Sequence, residues 1–202
     1  MKKNHGVRQL TDNPFLNLYE IDAADTKGKH FHYYFASRND ADHIKIRTKT
    51  TKPEGIVIYA ATTEPEPRLV LLRQYRYPLD DYMYELPAGL IDGDETPALA
   101  AIREMKEETG LEFTEYTGGS DRYRRPYYLG PGMTDETDAT VYGTVSGAIS
   151  GALNEDTEDI QVFLADKEMI RQILAKEHVS MRGAYLMMLF LQSEHAFSFL
   201  EQ

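Results

Sequence analysis

The sequence reads GLIDGDETPALAAIREMKEETGL from Gly89 to Leu111, and this stretch decides which fold the chain can adopt. Thr96 followed by Pro97 predicts the start of a helix, because proline at the first helical position lacks only a donor that would have no intrahelical partner there. Gly110 predicts the left-handed residue that ends the helix. The apolar residues between them cluster on one side of the helical wheel: Ala98, Leu99, Ala101, Ile102 and Met105. We therefore expect this side to pack inward and the other side to line a wall or cleft.

The same predicted helix carries Glu104, Glu107 and Glu108, largely on the side opposite the apolar residues. Separations of three and four residues bring side chains over one another on a helix. Acidic groups that close repel one another unless a cation lies between them, and a hard divalent metal with oxygen ligands is the natural occupant. A solvated, charged helix face is the alternative interpretation of such an acidic run.

The spacing of the whole stretch decides between these two interpretations. It follows Gly-x5-Glu-x7-Arg-Glu-U-x-Glu-Glu-x-Gly-U without a departure, where U is a bulky aliphatic residue and Met105 and Leu111 are the U positions. With each residue type at about 5% of usage, the seven fully specified positions coincide by chance on the order of once in a billion windows. The pattern is the signature of the Nudix hydrolases, and the chain resembles that superfamily. The resemblance implies an α/β fold, the Nudix α/β/α sandwich with a mixed sheet.

The resemblance also implies a division of labour among the motif residues. Glu104 and Glu108 would be direct metal ligands, with Glu107 a closer or water-mediated third. The main-chain carbonyl of Ala88 would be a further ligand. Arg103, four residues before Glu107, would hold that carboxylate in place, so these two residues are also expected in the catalytic machinery. Two or three Mg²⁺ ions, with Mn²⁺ as an alternative, would neutralise a diphosphate and activate a water for in-line attack on phosphorus.

Flanking motifs narrow the resemblance to one branch of the superfamily. They read RQYRYP (Arg73 to Pro78), ELPAGLID (Glu85 to Asp92), GPGMTDE (Gly130 to Glu136) and EDTEDIQV (Glu155 to Val162). These motifs are similar to those of ADP-ribose pyrophosphatases and related nucleoside-diphosphate-sugar hydrolases. The similarity implies hydrolysis of the diphosphate of ADP-ribose or a similar nucleoside-diphosphate sugar, giving a nucleoside monophosphate and a sugar phosphate. Two alternatives stay open: hydrolysis of another nucleoside diphosphate-X such as a GDP-sugar, and a non-catalytic nucleotide-sensing module that keeps the fold.

The flanking motifs also supply candidate substrate-binding residues. Arg76 follows a buried strand, and its forked guanidinium suits a pair of phosphate oxygens. Arg73 is a second candidate, because strand alternation does not decide which of the two arginines faces the cleft. Glu85, in ELPAGLID, is also expected to contact the substrate. Met133 and Glu136 are candidates because the glycines and proline of GPGMTDE allow a close approach to a ligand, although an ordinary tight turn is the alternative.

A loop glutamate late in the fold would, by the same resemblance, deprotonate or orient the attacking water. Glu155, Asp156 and Glu158 compete for this role in the acidic run NEDTED. Glu158 fits best, because it lies just before the predicted strand IQVFL and its side chain reaches further than that of Asp156. We predict Glu158 as the base, with the other two residues as alternatives.

Composition and charge argue against other classes of protein. The net charge of −11 argues against nucleic acid or an anionic membrane as a partner, so the chain must bring in the cation that a phosphate substrate needs as a metal. The absence of cysteine excludes disulfides and thiol chemistry. The start MKKNHGVRQL contains no visible secretory signal, and no apolar run approaches membrane-spanning length. We therefore expect a cytoplasmic protein.

The rest of the pattern predicts a domain plan. FLNLYEID and HFHYYFASR, on either side of a Thr-Lys-Gly turn, predict a hairpin, and His43 to Thr48 alternates as a half-buried strand should. We expect an N-terminal antiparallel β region over residues 1–50 and the Nudix hydrolase domain over residues 51–202. The aromatic-rich strand from Phe31 to Phe35 predicts a homodimer through the N-terminal region, with an edge extension on a monomer as the alternative.

Overall fold

The computed structural model describes residues 2–153 and 157–202. In chain order the strands are β1 (Asn4–Gln9), β2 (Asn17–Ala24), β3 (His30–Ser37), β4 (Gly55–Thr62), β5 (Leu69–Arg76), β6 (Asp81–Glu85), β7 (Ala88–Leu90), β8 (Glu112–Glu115), β9 (Tyr127–Tyr128), β10 (Thr137–Ser146) and β11 (Ile160–Ala165). The helices are α1 (Lys45–Thr48), α2 (Pro97–Thr109), α3 (Lys167–Lys176) and α4 (Met181–Gln192). Short 3₁₀ turns lie at Asp121–Arg124 and Ser198–Glu201. The described residues fall into two compact units.

The first unit comprises the described residues up to Glu54 together with Pro126–Asp138. Its antiparallel sheet has the order β1-β2-β3, which confirms the predicted N-terminal β extension and adds a strand that was not predicted, β1. The hairpin between β2 and β3 closes because the side chain of Asp25 accepts hydrogen bonds from the backbone N–H groups of Lys27 and Lys29 at 2.8 and 2.9 Å. This turn is the Thr-Lys-Gly turn of the sequence.

The strand predicted from His43 to Thr48 is wrong, because the chain forms α1 there. The side chain of Asp40 accepts hydrogen bonds from the backbone N–H groups of Asp42 at 2.9 Å and His43 at 3.1 Å, which turns the chain. Ile44 is then fully buried in the small core of this unit. A local side-chain hydrogen bond has overridden the alternating pattern.

The second unit comprises Gly55–Arg125 and the described residues from Ala139 onward. Its mixed sheet has the order β11-β5-β4-β10-β8, with β6 paired to β5 and β7 paired to β4. The apolar run of β4 is buried on both faces, as a strand covered from two sides requires. One face packs on α2 through a cluster that includes Ile56, Ile58, Ala101 and Met105. The other face packs on α3 and α4 through a cluster that includes Tyr59, Ile170, Met187 and Phe190.

These two helical layers confirm the α/β/α sandwich. Both helices of the second layer begin at capped residues: Asp166 caps α3 by accepting a hydrogen bond from the N–H of Met169 at 2.7 Å, and Ser180 caps α4 by accepting one from the N–H of Gly183 at 3.2 Å. Within the described residues, no helix combines the length and the apolar character that crossing a bilayer requires.

Candidate active site

Both ends of α2, the helix of the acidic motif, are set by the residues that predicted them. The hydroxyl of Thr96 accepts a hydrogen bond from the N–H of Leu99 at 3.3 Å, with Pro97 at the first helical position. Gly110 ends the helix in the left-handed conformation, with φ at 75°. The caps therefore fix which residues of the motif are helical.

The face of α2 that packs inward differs from the predicted one. Leu99 and Ile102 were expected to point inward, but they are 54% and 44% exposed. The buried side instead runs through Ala101, Met105 and Glu108, which are spaced by four and three residues. Glu108 therefore lies on the packing side of the helix and not on the exposed wall.

Glu108 is almost fully buried, at 3% exposure, and its Oε2 accepts a hydrogen bond from the N–H of Ala88 at 3.3 Å. Burial raises the pKa of Glu108 well above its usual range, and the neighbouring carboxylates of Glu104 and Glu158 raise it further. Burial also raises the pKa of Glu104, although Arg103 opposes the rise. A buried carboxylate beside other carboxylates costs free energy when all are ionised, and this cost favours a bound cation.

Arg103 connects the other motif carboxylates. Its Nη1 donates to Oε1 of Glu104 at 2.7 Å and to Oε2 of Glu107 at 3.0 Å. Its Nε and Nη2 donate to the two carboxylate oxygens of Glu95, each at 3.1 Å, and Nη2 also donates to the carbonyl of Leu90 at 2.9 Å. The hydrogen bonds from this guanidinium lower the pKa of Glu95. One arginine thus joins the loop before α2 to the helix itself.

The carboxylates around Glu108 suit a hard divalent cation, because carboxylate oxygens are ligands of the kind that Mg²⁺ prefers. Across residues 2–153 and 157–202, no three acidic or histidine side chains already converge as a set of metal ligands. Glu104 and Glu107 both accept hydrogen bonds from Arg103. Cation binding would require these two carboxylates to turn from the guanidinium toward Glu108.

The two arginines expected to bind phosphate are an odd number of residues apart on β5 and point to opposite faces of the sheet. Nε and Nη2 of Arg76 donate to Oε2 of Glu85 at 2.6 and 2.5 Å, and the positive charge of Arg76 opposes the rise in the pKa of Glu108, which burial dominates. The guanidinium of Arg73 instead stacks on Tyr82, 4.3 Å from the ring centroid. Arg76 is therefore the arginine on the side of the motif acids, and the buried Glu85 anchors it.

Glu158, the predicted base, lies just before β11, half-buried between two exposed neighbours, Thr157 and Asp159. Burial is the largest cause of the raised pKa of both Glu104 and Glu108, and the carboxylate of Glu158 is a smaller contributor to each. Glu158 therefore lies within electrostatic range of both. The competing candidates 155 and 156 lie outside the described residues.

Two residues near Glu158 were not singled out from the sequence. The hydroxyl of Tyr82, in β6, donates a hydrogen bond to the side chain of Asp159. The available signal was the alternation of EDIQV, which puts Asp159 and Glu158 on opposite faces of an extended segment. The pairing of Asp159 with Tyr82 could not be read from the sequence, because 77 residues separate the two.

The candidates from GPGMTDE lie in the first unit. The side chain of Met133 is 78% exposed, and its carbonyl accepts a hydrogen bond from the N–H of Ala36 at 2.8 Å. The side chain of Glu136 accepts one from Nε of Arg38 at 2.9 Å. The loop is thus held against β3 and the residues that follow it, and a part for Met133 and Glu136 in substrate binding stays a prediction.

Comparisons with known proteins bear on the family of the chain. The family model described as NUDIX domain matches residues 51–181. The chain is 35% identical over 133 residues to the "Putative nudix hydrolase 2" of Caenorhabditis elegans, covering 60% of this chain and 58% of that protein. It is 33% identical over 135 residues to the "ADP-ribose pyrophosphatase" of Bacillus subtilis (strain 168), covering 67% and 62%. The chain therefore spans less than two thirds of the length of either relative.

A solved structure supports the fold. The crystal structure of an "ADP compounds hydrolase" superposes with a TM-score of 0.61 at 16% identity, covering 87% of this chain and 85% of that one. At this identity the likeness extends to the fold alone.

Proposed function

Because this chain belongs to the NUDIX domain family, we propose that it is a divalent-cation-dependent hydrolase that cleaves the diphosphate linkage of ADP-ribose or a similar nucleoside-diphosphate sugar. The observation that carries the proposal is the environment of Glu108. This carboxylate is buried beside Glu104 and within range of Glu158, an arrangement that costs free energy without a cation. A helix with only a structural role gains nothing from crowded, buried carboxylates, whereas a cation-dependent active site uses them as ligands.

The cation would be held by the carbonyl of Ala88 and by the carboxylates of Glu104, Glu107 and Glu108. Mg²⁺ suits these ligands, Mn²⁺ is the alternative, and two or three ions would fill the site. When bound, the cation neutralises diphosphate charge and makes a water molecule more acidic. Through contacts of 2.7 and 3.0 Å, Arg103 keeps Glu104 and Glu107 beside each other, where they would be available to bind the cation.

The other side chains act on the water and on the phosphate. Glu158 accepts a proton from the attacking water as the oxygen approaches phosphorus. Arg76, whose Nε and Nη2 are held by Glu85, has further N–H donors that can bind an oxygen of the diphosphate. Arg73, which stacks on Tyr82 on the opposite face of the sheet, is left out of the diphosphate site, and roles for Met133 and Glu136 in substrate binding stay predictions. The products would be a nucleoside monophosphate and a sugar phosphate.

The name of the Bacillus subtilis relative supports ADP-ribose as the first substrate to test, and a Mus musculus relative, "ADP-sugar pyrophosphatase", 35% identical over 83 residues, supports the wider class of ADP-sugars. The test is a panel of ADP-, GDP- and UDP-sugars with Mg²⁺, with products identified by mass in ¹⁸O-labelled water. We expect turnover of ADP-ribose or another ADP-sugar, with the label in one of the two phosphorylated products. Binding without turnover would favour the nucleotide-sensing alternative and contradict the proposal.

The matched variants address the acids directly. Glu104→Gln combined with Glu108→Gln should lower kcat at least a hundredfold, because it removes two expected ligands and their charge. Glu112→Gln, which neutralises a glutamate whose side chain pairs with Lys106, is the control and should stay within twofold. Unchanged turnover in the double variant would contradict the proposed cation site.

A further inference from the structure

The adjoining ends of β5 and β6, with the turn between them, carry a cluster of tyrosines that the proposed mechanism does not use. The ring of Tyr75 lies 5.2 Å from that of Tyr77 and 5.5 Å from that of Tyr82, in edge-to-face geometry in each case. The guanidinium of Arg73 covers the face of Tyr82 at 4.3 Å. Edge-to-face pairs and a stacked cation hold these rings in fixed orientations.

This cluster contacts the residues on both sides of Glu158 in the sequence, Asp159 and Thr157. The hydroxyl of Tyr82 donates to the side chain of Asp159, and the N–H of Tyr75 donates to the carbonyl of Asp159 at 3.0 Å. On the other side, the hydroxyl of Tyr77 reaches the carbonyl of Thr157 at 3.5 Å, a long contact. The stronger anchor is therefore the one at Asp159.

The register of the sheet determines where Glu158 points. β11 pairs antiparallel with β5 as far as Ile160 opposite Gln74. Continuing this register puts Asp159 beside the tyrosines and Glu158 opposite Arg76, because successive residues of an extended segment alternate between faces. With Asp159 held on one face of the sheet, Glu158 must point to the other face, where the motif acids lie.

The electrostatics agree with this direction. Burial is the largest cause of the raised pKa of both Glu104 and Glu108, and the carboxylate of Glu158 is a smaller contributor to each. The positive charge of Arg76, which lies opposite Glu158 in the continued register, opposes the rise in the pKa of Glu108. The register therefore directs Glu158 to the same face of the sheet on which its charge, that of Arg76 and those of the motif acids interact.

We propose that Tyr82 is a positioning residue, which directs Glu158 toward the motif acids by holding the side chain of Asp159 on the opposite face of the sheet. The inference rests on the proposed function, in which Glu158 accepts the proton of the attacking water. The hydroxyl of Tyr82 is the part that matters, because it makes the hydrogen bond to Asp159. Without it, Asp159 is free to turn to solvent and Glu158 loses its fixed direction. A displacement of about 1 Å at a reacting group can cost on the order of a hundredfold in rate.

The chain supplies a matched pair of variants for the test. Tyr82→Phe removes only the hydroxyl bonded to Asp159, and Tyr75→Phe removes a hydroxyl bonded to Asp80, which is outside the segment of Glu158. We expect Tyr82→Phe to lower kcat at least tenfold with KM within twofold, while Tyr75→Phe leaves both within twofold. Asp159→Ala should reproduce the loss, and Asp159→Asn, which keeps an acceptor for the hydroxyl, should restore most of it.

A further combination separates positioning from general weakening of the fold. In a Glu158→Gln background, Tyr82→Phe should cause less than a twofold additional loss, because the base whose direction it controls is already absent. Full additivity of the two losses would overturn the proposal. Equal kcat in Tyr82→Phe and the wild type would also overturn the positioning role. In that case, a loss of activity in Glu158→Gln would show that the proposed function survives without it.

Amide hydrogen exchange tests the anchor without reference to activity. The amides of residues 157–160 should exchange faster in Tyr82→Phe than in the wild type, and should not change in Tyr75→Phe. Unchanged exchange in Tyr82→Phe would overturn the positioning role. A wild-type protein that turns over no nucleotide sugar would instead overturn the proposed function, and faster exchange would then support the anchor alone.

Discussion

At the scale of single residues, Gly89 stands out because of how closely Glu104 approaches it. A Cβ added at Gly89 would lie 2.0 Å from both Cδ and Oε1 of Glu104, far inside any normal contact. The side chain of Glu104 is only 13% exposed and is held by Nη1 of Arg103 at 2.7 Å, so it has little room to retreat. The first glycine of the motif is therefore needed for space, because it lets β7 pass directly beside an expected metal ligand.

Replacing this glycine should disable the site while leaving the fold intact. In Gly89→Ala the methyl group must push the carboxylate of Glu104 away from its position, so we expect kcat to fall at least tenfold and calorimetry to detect weaker Mg²⁺ binding. The free energy of unfolding should fall by about 1 to 3 kcal/mol, the usual cost of overpacking. Gly6→Ala is the control, because a Cβ there meets no atom within 4 Å. Wild-type turnover and Mg²⁺ affinity in Gly89→Ala would contradict this role.

The motif positions could be predicted from the sequence because their spacing is a property of the chain itself. The depth of Glu108 could not. A helical wheel assigns an apolar side, but Leu99 and Ile102 on that side are 54% and 44% exposed. The rotation of α2 about its axis is decided by the residues of β4 that it packs on, such as Ile56 and Ile58, and a wheel contains no information about them.

At the scale of elements, α1 depends on a buried ion pair that joins distant parts of the first unit. Nζ of Lys45 donates to Oε2 of Glu54 and to Oγ1 of Thr137, each at 2.5 Å, and to the carbonyl of Lys52 at 3.0 Å. Lys45 is 5% exposed. A helix of this length has little stability of its own, so this network, together with the burial of Ile44, holds it in place. The network is a second reason, beside the local hydrogen bonds of Asp40, why the strand prediction from His43 to Thr48 failed, since the partners of Lys45 lie up to 92 residues away.

Neutralising Glu54 should destabilise the protein in a pH-dependent way. Burial alone would raise the pKa of Glu54, but hydrogen bonds from Lys45, Asn39 and the N–H of Thr137 outweigh it and lower the pKa. A lowered folded pKa means that the pair contributes stability above the unfolded pKa of about 4.3 and loses it as the pH falls through the folded pKa. At pH 7, Glu54→Gln leaves Lys45 buried without its anion and should cost about 3 kcal/mol.

Urea unfolding of the wild type and Glu54→Gln at pH 7 and at progressively lower pH tests this expectation. The difference in unfolding free energy should start to narrow below the unfolded pKa of about 4.3 and should disappear once the pH has fallen through the lower folded pKa of Glu54, where the wild type is protonated as well. Glu64→Gln, which removes an exposed partner of Arg68, is the control and should change the unfolding free energy by less than about 0.5 kcal/mol at neutral pH. A difference between wild type and Glu54→Gln that does not vary with pH would contradict the assignment.

At the scale of the whole molecule, the Nudix resemblance that the motif carries was enough to predict the sandwich. A strand buried on both faces, such as β4, needs a helical layer on each side, and α2 together with α3 and α4 supplies them. The membership of Pro126–Asp138 in the first unit could not be predicted, because this segment lies more than seventy residues beyond the rest of that unit. Oligomeric state is a further property that the fold of one chain leaves open.

The aromatic surface of β3 is the feature that bears on oligomeric state. Phe31 and Tyr33 share one face of β3 and are 45% and 39% exposed, and Tyr34, on the other face, is 49% exposed. Exposed aromatic residues are enriched at protein interfaces. We predict a homodimer, so light scattering at micromolar concentration should give twice the 23.1 kDa of one chain. Phe31→Asp combined with Tyr33→Asp, on the same face of β3, should give the single-chain mass, because like charges would face each other across the interface. Phe15→Ser, which removes a 78% exposed aromatic residue outside β3, should stay dimeric. A wild-type species of 23.1 kDa would contradict the dimer and leave the β3 aromatics as surface of a monomer.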